Sequence, residues 1–437
     1  MNTSTAFRTD RYELTMLEAA IAHGTADTPC MFEAFGRRLP GARRFGVVAG
    51  IGRLLERIRD FRFADAELTW LADNDVVSAR AIDWLADYRF SGDIWGYVDG
   101  EAYFPESPIL IVESSFGEGV LLETLILSIL NYDSAVATAA TRMVTAAAGR
   151  PLAEMGSRRA NEDAAIAASR AAYIAGFSAT SNLEAGRTWG IPTMGTAAHS
   201  FTLLHENEEE AFRAQVATGG PGTTLLVDTY DVAAGVETAI RVAGTELGAI
   251  RLDSGDLPTL VVDVRRQLDM LGAHNTKITV TSDLNEYAIA TLRTAPVDSY
   301  GVGTSLVTGS GSPAAGLVYK LVARQAADGD WVSVAKASAG KRSVGGRKYA
   351  TRLRDENGVA RQEKVYIGLG PEEAKSIPAS ERPLLAPLIT AGEISDRYLG
   401  ASGTSIAREH HAMVRAELPA DAYRLGRGDP ALSTTFS

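Results

Sequence analysis

The sequence predicts an α/β protein whose middle part is a barrel of parallel strands, carried between two regions of α+β character. Three observations make that prediction. Between residues 175 and 302, short apolar runs alternate with segments of helical composition, the rhythm of parallel strands joined by crossover helices. Polar residues collect at or just after the C-terminal ends of those runs: Ser178 and Asn182, Thr196 and His199, Asp228, Arg251 and Asp253, Ser282 and Asp283, Gly303 and Thr304. Strand ends of a barrel converge on one mouth, whereas an open doubly wound sheet concentrates its polar groups at a single switch point. A rim fed by so many strands favours the barrel.

Taken in order, TDRYELTMLEAAIAHG from Thr9 reads as a capped helix. Thr9 or Asp10 serves as N-cap, Glu13 lies in the first turn and Gly24 supplies the stop. Leu14, Leu17, Ala20 and Ile21 form its apolar stripe, which leaves Tyr12 as the residue not assigned to the core. Pro29–Phe35 reads as a strand and is followed by GRRLPGARRF, a loop with four arginines. That loop is either a solvated turn or an anion-binding one. Helices are expected over 46–59 and twice within 64–88, then strands over 93–103 and 109–113, and a long helix from about Gly117 to about Gly149. An alanine-rich helix, Arg159–Ala175, precedes the barrel rhythm. Its expected strands are 175–179, 192–196, 223–227, 247–252, 277–281 and 298–302; helices over 206–217, 231–243, 257–271 and 286–293 separate most of them. After Val322 the pattern turns to strands and polar loops, then helices, with a loose tail from Asp429. The expected division is 1–130, 131–323 and 324–437.

Composition narrows the function classes. At 437 residues the chain has material for two or three domains. A formal net charge of −11 argues against a general nucleic-acid binder while leaving room for a local phosphate site. The one cysteine, Cys30, excludes an internal disulfide framework and a Cys-based zinc cluster, and fits a reducing cytosol. The first twenty residues lack an apolar core, so no secretory signal is expected. No stretch reads as a membrane span; GVLLETLILSIL is short and carries Glu123. The expectation is a cytoplasmic protein.

Several stretches carry chemistry. GVGTS at 301–305 follows a strand, and its glycines and hydroxyls suit either a phosphate cradle or a tight turn. It is not the dinucleotide fingerprint, and the chain contains no GxxxxGK[ST] motif. IRLDSGD at 250–256 places Arg251 and Asp253 on one strand face, as a substrate clamp or as an ordinary ion pair. Asp228, Asp231 and Asp283 are weaker candidates for Mg²⁺ or for supporting roles. His199 stands in GTAAHSF at a strand end, and its residue type alone does not separate a structural from a catalytic role. No GxSxG nucleophile elbow occurs.

Together these stretches resemble nicotinate phosphoribosyltransferases. The resemblance is carried by TDRYELTM (9–16), FEAFGRR (32–38), GFSATSN (176–182), PTMGTAAHSF (192–201), LLVDTYD (225–231), IRLDSGDL (250–257), SDLNEY (282–287), YGVGTSLVTG (300–309) and GLVYKLV (316–322). It implies an irregular, incomplete α/β barrel of the type II phosphoribosyltransferases, with an additional α+β domain formed by N- and C-terminal segments. It also implies the reaction: nicotinate, phosphoribosyl pyrophosphate, ATP and water give nicotinate mononucleotide, pyrophosphate, ADP and phosphate, with Mg²⁺ as helper. That is an ATP-coupled ligase at the entry of salvaged nicotinate into NAD synthesis, acting as a homodimer with active sites at the interface.

By the resemblance, His199 is the residue phosphorylated by ATP and Asp253 positions the ribose. Thr196 and Arg251 contact nicotinate, Arg251 through charge-assisted bonds to its carboxylate. Tyr12 stacks on the pyridine ring from the neighbouring subunit, and Arg158 borders the ring. Asn182 stands where nicotinamide-using relatives carry an aspartate that would repel a carboxylate. Gly303 and Thr304 hold the 5′-phosphate, while Arg37, Arg38, Lys341 and Lys348 are candidates for the other phosphates. Alternatives within the class use nicotinamide or quinolinate. From another class, a metal-dependent barrel hydrolase would draw ligands from His199, Asp228, Asp253 and Asp283.

Overall fold

The computed structural model describes residues 4–336, 343–370, 377–378 and 380–437. The chain divides into two compact units, one from residues 1–138 and 312–437 and the other from 139–311. These divisions fall after residues 138 and 311 rather than after the expected 130 and 323, and each shift has a local cause. The strand Leu317–Gln325 pairs antiparallel with Pro29–Gly36, which draws the chain after Ser312 into the first unit. At the other division, the backbone N–H groups of Val47 and Ala49 donate to Thr138 Oγ1 (2.9 Å) and Ser134 Oγ (3.1 Å). Those bonds tie the first half of the long helix Glu123–Ala147 to the N-terminal segment.

The larger unit contains a seven-stranded sheet in the order Trp331–Ser333, Leu317–Gln325, Pro29–Gly36, Leu110–Ser115, Asp93–Gly96, Ala386–Thr390, Glu393–Ile394. Its central strand PCMFEAFG is buried at every position after Pro29, as a continuous apolar run predicts. Phe32 stacks on Tyr319 at 5.0 Å between ring centres. The expected helix Arg11–His23 forms and ends at Gly24, whose φ of 74° is the left-handed stop that glycine permits.

A four-stranded sheet runs Glu381–Pro383, Lys348–Arg354, Ala360–Ile367, Ser433–Phe436. Its last strand corrects the expected loose tail. STTF is too short to read alone, but it pairs in parallel with Gln362–Val365. His410 and His411 lie on the helix Gly400–Glu417. His411 is buried and donates from Nδ1 to Gly100 O at 2.9 Å, and burial pushes its pKa down to about 4.

His410 joins a buried ion cluster around Glu101. Arg352, fully buried, meets Glu101 at 2.8 Å, Glu363 at 2.7 Å and Glu417 at 3.4 Å. Arg382 reaches Glu101 at 2.8 Å and also Glu417, and His410 Nε2 lies 2.8 Å from Glu101. Burial opposes ionisation of Glu101, but the two guanidiniums and His410 outweigh it and hold its carboxyl well below the usual range.

The helical stretch Phe116–Ala147 is long and apolar enough to cross a membrane by length and composition, which the sequence did not suggest. Its alanine- and threonine-rich second half extends the apolar run, and most of its apolar stretch is buried inside the protein.

The smaller unit is built on six parallel strands in the order Ala179–Thr180, Leu152–Glu154, Ser299–Val302, Lys277–Val280, Ala249–Leu252, Thr224–Leu226. Helices Glu162–Ile174, Leu183–Trp189, Glu208–Gly219, Val232–Ala243, Leu257–Met270 and Glu286–Thr291 alternate with them. The sheet curls but does not close on itself, so the unit is an irregular, incomplete α/β barrel; the other unit is the additional α+β domain. The segment 192–196, expected as a strand, contributes an isolated bridge between Thr193 and Thr180. Leu152–Glu154 was not expected. Three residues after a proline carry too little periodicity to register as a strand.

Candidate active site

The C-terminal ends of these strands carry the candidate residues of the smaller unit, and Arg251 is their hub. It extends from the Ala249–Leu252 strand with only 14% of its side chain exposed. Nε donates to Thr281 Oγ1 at 3.0 Å. Nη1 donates to Thr196 Oγ1 at 2.7 Å and to Ala197 O at 3.1 Å. Nη2 lies 3.2 Å from Asp253 Oδ1. A planar fork with donors fixed on three sides holds the 196–197 segment, which has no sheet of its own, against two strand ends.

Asp253 also accepts from the Thr281 hydroxyl. Burial would raise its pKa, but that hydrogen bond and the Arg251 charge keep it below the ordinary aspartate value. Thus Asp253 is a carboxylate anchored through Oδ1, with Oδ2 directed at His199.

His199 opens the short helix His199–Leu204. Its Nδ1 lies 3.1 Å from Thr229 Oγ1. Its Nε2 lies 4.0 Å from Asp228 Oδ1 and 4.0 Å from Asp253 Oδ2. The imidazole side chain is 41% exposed, so one nitrogen is held by a hydroxyl while the other faces two carboxylate oxygens beside solvent. Asp228 is nearly inaccessible. Its Oδ2 accepts from Asp253 N (2.8 Å) and Ser254 Oγ (2.7 Å), whereas Oδ1 has no hydrogen-bond partner. A buried carboxylate oxygen left open is costly, and here it lies toward the imidazole.

A polar cleft beside this cluster is lined by Arg158, Arg159, Arg251, Asp253, Asp283 and Thr304, among others. Gly301 and Gly303 border it, and at Gly301 no larger residue fits: a Cβ there would overlap Met155 and Thr281. Ser282, also on the cleft, holds φ at 106°, a region that non-glycine residues rarely occupy. Backbone strain of this kind concentrates at ligand sites.

Asn182 N-caps the helix Leu183–Trp189. Its Oδ1 accepts from Ala185 N at 2.9 Å, and Nδ2 donates to Ser157 Oγ at 3.1 Å. The cap fixes the amide orientation, with the oxygen on the helix and the nitrogen turned to Ser157. Asp231, a weaker metal candidate, is likewise an N-cap, accepting from Ala234 N.

The remaining candidates divide differently. Tyr12 lies in the larger unit, on the first turn of its helix and 46% exposed. Burial, then the charges of Glu123 and Glu13, push its hydroxyl up to about 12. Arg37 and Arg38 belong to the same unit, Arg37 lying over the Phe35 ring at 5.6 Å. Lys348 is a correction: it is buried and paired with Glu33 and with no open phosphate-binding face. The run KRSVGGRK is expected to hold phosphates, but its last residue, Lys348, begins a strand and is buried. Lys341 lies outside the described residues.

Sequence reasoning missed Thr229, Thr281, Arg159 and Glu208. Thr281 and Thr229 were legible as hydroxyls at strand ends, and Arg159 as the second half of an Arg-Arg pair. Glu208 was hidden in an acidic helix start. Burial first, then Asp228 and Asp231, raise its pKa to about 7, and its Oε1 is buried without a partner.

An incomplete barrel with an arginine hub, a histidine between carboxylates and a glycine-lined polar cleft defines a type II phosphoribosyltransferase architecture. Comparison with known proteins narrows the class. Residues 7–131 match the nicotinate phosphoribosyltransferase (NAPRTase) N-terminal domain. The chain is 54% identical over 435 residues to nicotinate phosphoribosyltransferase pncB1 of Mycobacterium tuberculosis, covering 98% of this chain and 94% of that one. It is 38% identical to the Bacillus subtilis nicotinate phosphoribosyltransferase over 382 residues, covering 85% and 77% of the two chains. Among solved structures, human nicotinic acid phosphoribosyltransferase superposes with a TM-score of 0.81 at 25% identity, covering 98% of this chain and 97% of that one. The chain belongs to the nicotinate phosphoribosyltransferase family.

Proposed function

We propose that the protein joins nicotinate to the ribosyl group of phosphoribosyl pyrophosphate in a reaction coupled to ATP through a phosphohistidine at His199. The observation that carries this reading is the imidazole itself, with Nδ1 on Thr229 and Nε2 open beside Asp228 and Asp253. A hydroxyl that receives the Nδ1 proton bond leaves Nε2 with its lone pair, the form that can attack phosphorus. Nε2 attacks the γ-phosphorus of ATP and ADP leaves. Nicotinate N1 then attacks the anomeric carbon as pyrophosphate departs, and water finally takes the phosphoryl group from His199 as inorganic phosphate. The glycosyl step passes through a cationic sugar, which the Asp253 carboxylate suits.

The acid is favoured over the amide by the donor set. Arg251 offers a guanidinium, and Asn182 offers an N–H because its oxygen is committed to the helix cap. An aspartate at 182 would place a second oxygen there and oppose a carboxylate ligand. Gly303 and Thr304 supply backbone and hydroxyl partners for phosphates and Arg159 a cationic one, while Arg158 borders the pyridine ring. Tyr12, Arg37 and Arg38 would complete the site across a homodimer.

Asp228 Oδ1 and Asp253 Oδ2 are oxygen donors of the kind Mg²⁺ prefers. Among the described residues no cluster of three or more His, Cys, Asp or Glu forms a metal cage. The fit is therefore to an ion that arrives on the pyrophosphate and neutralises its charge. The absence of a disulfide-capable cysteine pair is consistent with a cytoplasmic enzyme.

The test is nicotinate mononucleotide formation from nicotinate and phosphoribosyl pyrophosphate, with and without ATP, and with nicotinamide as competitor. Faster turnover of nicotinamide would overturn the reading of Asn182. An acid-labile phosphoryl label that survives His199→Ala would overturn that of His199.

A further inference from the structure

The mouth of the barrel needs its base-side and phosphate-side loops held in register, and the strands that carry them are two to four residues long. Glu154, at the end of the unexpected strand, is fully buried, and among the described residues no cation pairs with it. Its carboxylate instead accepts hydrogen bonds from three different places. Oε1 takes the backbone N–H of Gly156. Oε2 takes the hydroxyls of Ser169, at 2.9 Å, and Thr180, at 2.5 Å.

Two of these partners, Gly156 and Thr180, lead to loops, while Ser169 lies on the helix Glu162–Ile174. Gly156 begins the turn carrying Ser157 and Arg158, and Arg159 N bonds back to Gly156 O at 2.8 Å. A Cβ on Gly156 would lie 3.1 Å from Gly303 O and overlap Val307, so this turn rests against the Gly303–Thr304 loop. Thr180 Oγ1 accepts from Asn182 N at 3.0 Å, and Asn182 Nδ2 then reaches Ser157 Oγ. One carboxylate therefore stands at the junction of the Arg158 turn, the Asn182 cap and, through Gly156, the Gly303 loop.

We propose that Glu154 is a positioning residue for the phosphoribosyl transfer, fixing the base-side donors Arg158 and Asn182 against the phosphate-side Gly303–Thr304 turn. It touches no substrate. A buried polar side chain satisfied only by neutral donors is expensive to seat. What its two oxygens contribute is simultaneous acceptance from two loops and a helix, which glutamine, with one oxygen, does not provide. The inference rests on the nicotinate phosphoribosyltransferase reading.

The test uses the whole chain and four variants. Glu154→Gln keeps the shape but replaces one acceptor by a donor. The expected result is a fall in kcat/KM of about 10- to 100-fold, with KM raised for both substrates, because a misplacement on the order of 1 Å in a supporting shell is enough for such losses. Thr180→Val removes the hydroxyl that links Glu154 to Asn182. It should raise KM for nicotinate by about 5- to 10-fold while KM for phosphoribosyl pyrophosphate changes less than about 2-fold. The double variant should be no worse than Glu154→Gln alone, since both act through one network.

Ser169→Ala removes one donor from the same oxygen and should weaken both substrates mildly. It and Thr180→Val read the proposal if Glu154→Gln does not fold. Unchanged KM values in folded variants, or strictly additive effects, would overturn it. A wild-type protein that makes no nicotinate mononucleotide would instead overturn the functional reading, and the two failures are distinguishable.

Discussion

Two clusters of charge, one in each unit, invite comparison. Around Arg352, two arginines, three glutamates and a histidine are packed together, with Arg352 and Glu363 wholly inaccessible and nearly every charged oxygen matched. Around Arg251, the guanidinium is almost equally engaged, yet its neighbours are not. His199 is 41% exposed, Asp253 33%, and Asp228 keeps one buried oxygen without a partner. The first cluster matches its carboxylates with its own cations, and its open donor, Arg352 Nε, is buried, even though Glu101, Arg382 and His410 border a cavity. The second is held rigidly from behind by Thr196, Thr281 and Thr229 and left open in front. Unfilled valence on a fixed frame distinguishes a site from a strut.

The largest expected effects follow from breaking either hub. Arg251→Ala should cost on the order of 10²- to 10³-fold in kcat/KM, because it loses the ligand contact and frees the 196–197 segment together. Its thermal midpoint should change little, as Asp253 can be solvated. Steady-state kinetics alongside thermal unfolding checks both halves. Arg352→Met should do the opposite, destabilising by about 3–5 kcal/mol because three glutamates lose a buried counter-charge. kcat/KM of the folded fraction should stay within about 2-fold. Denaturant titration measures the first, and equal damage to kinetics at low temperature would blur the distinction drawn here.

A smaller effect sharpens the comparison through pH. Glu101 has a lowered folded pKa, so the stability it supplies is present above its unfolded value near 4.5 and is lost as pH falls below that. Glu208 has a raised one, about 7. The folded state then holds an extra proton between about 4.5 and 7, and stability falls as pH rises through that window. Glu208→Gln should therefore stabilise the protein at pH 8 by on the order of 1 kcal/mol, after discounting for its partial exposure. At pH 4 the gain should vanish. Unfolding curves at the two pH values decide it, and an equal gain at both would contradict the assignment.

Much of the smaller unit was legible because the parallel-barrel rhythm leaves a periodic trace. Four of its strands, Thr224–Leu226, Ala249–Leu252, Lys277–Val280 and Ser299–Val302, fall inside the expected runs. The polar residues after them were marked by their position alone. What escaped was set by distance or brevity. Lys348 finds Glu33 315 residues away in sequence, so a basic run suggested a phosphate site when its last member was buried in an ion pair. Leu152–Glu154 is too short for any period, and with it Glu154 was missed. The STTF strand at the C-terminus depends wholly on its neighbour for pairing. Asn182 was identified for its chemistry, but its capping role, which decides which end of the amide faces a ligand, needed the helix to be seen.

The central claim is that His199 Nε2, open between Asp228 and Asp253, couples ATP to ribosyl transfer. The most direct measurement is phosphoryl transfer from γ-labelled ATP to the protein, followed through acid lability and turnover. The account predicts a label on His199 that acid removes and that is lost in His199→Ala, with ATP hydrolysis no longer accompanying product formation. A label of equal intensity in that variant, or wild-type product formation that neither consumes nor responds to ATP, would contradict it.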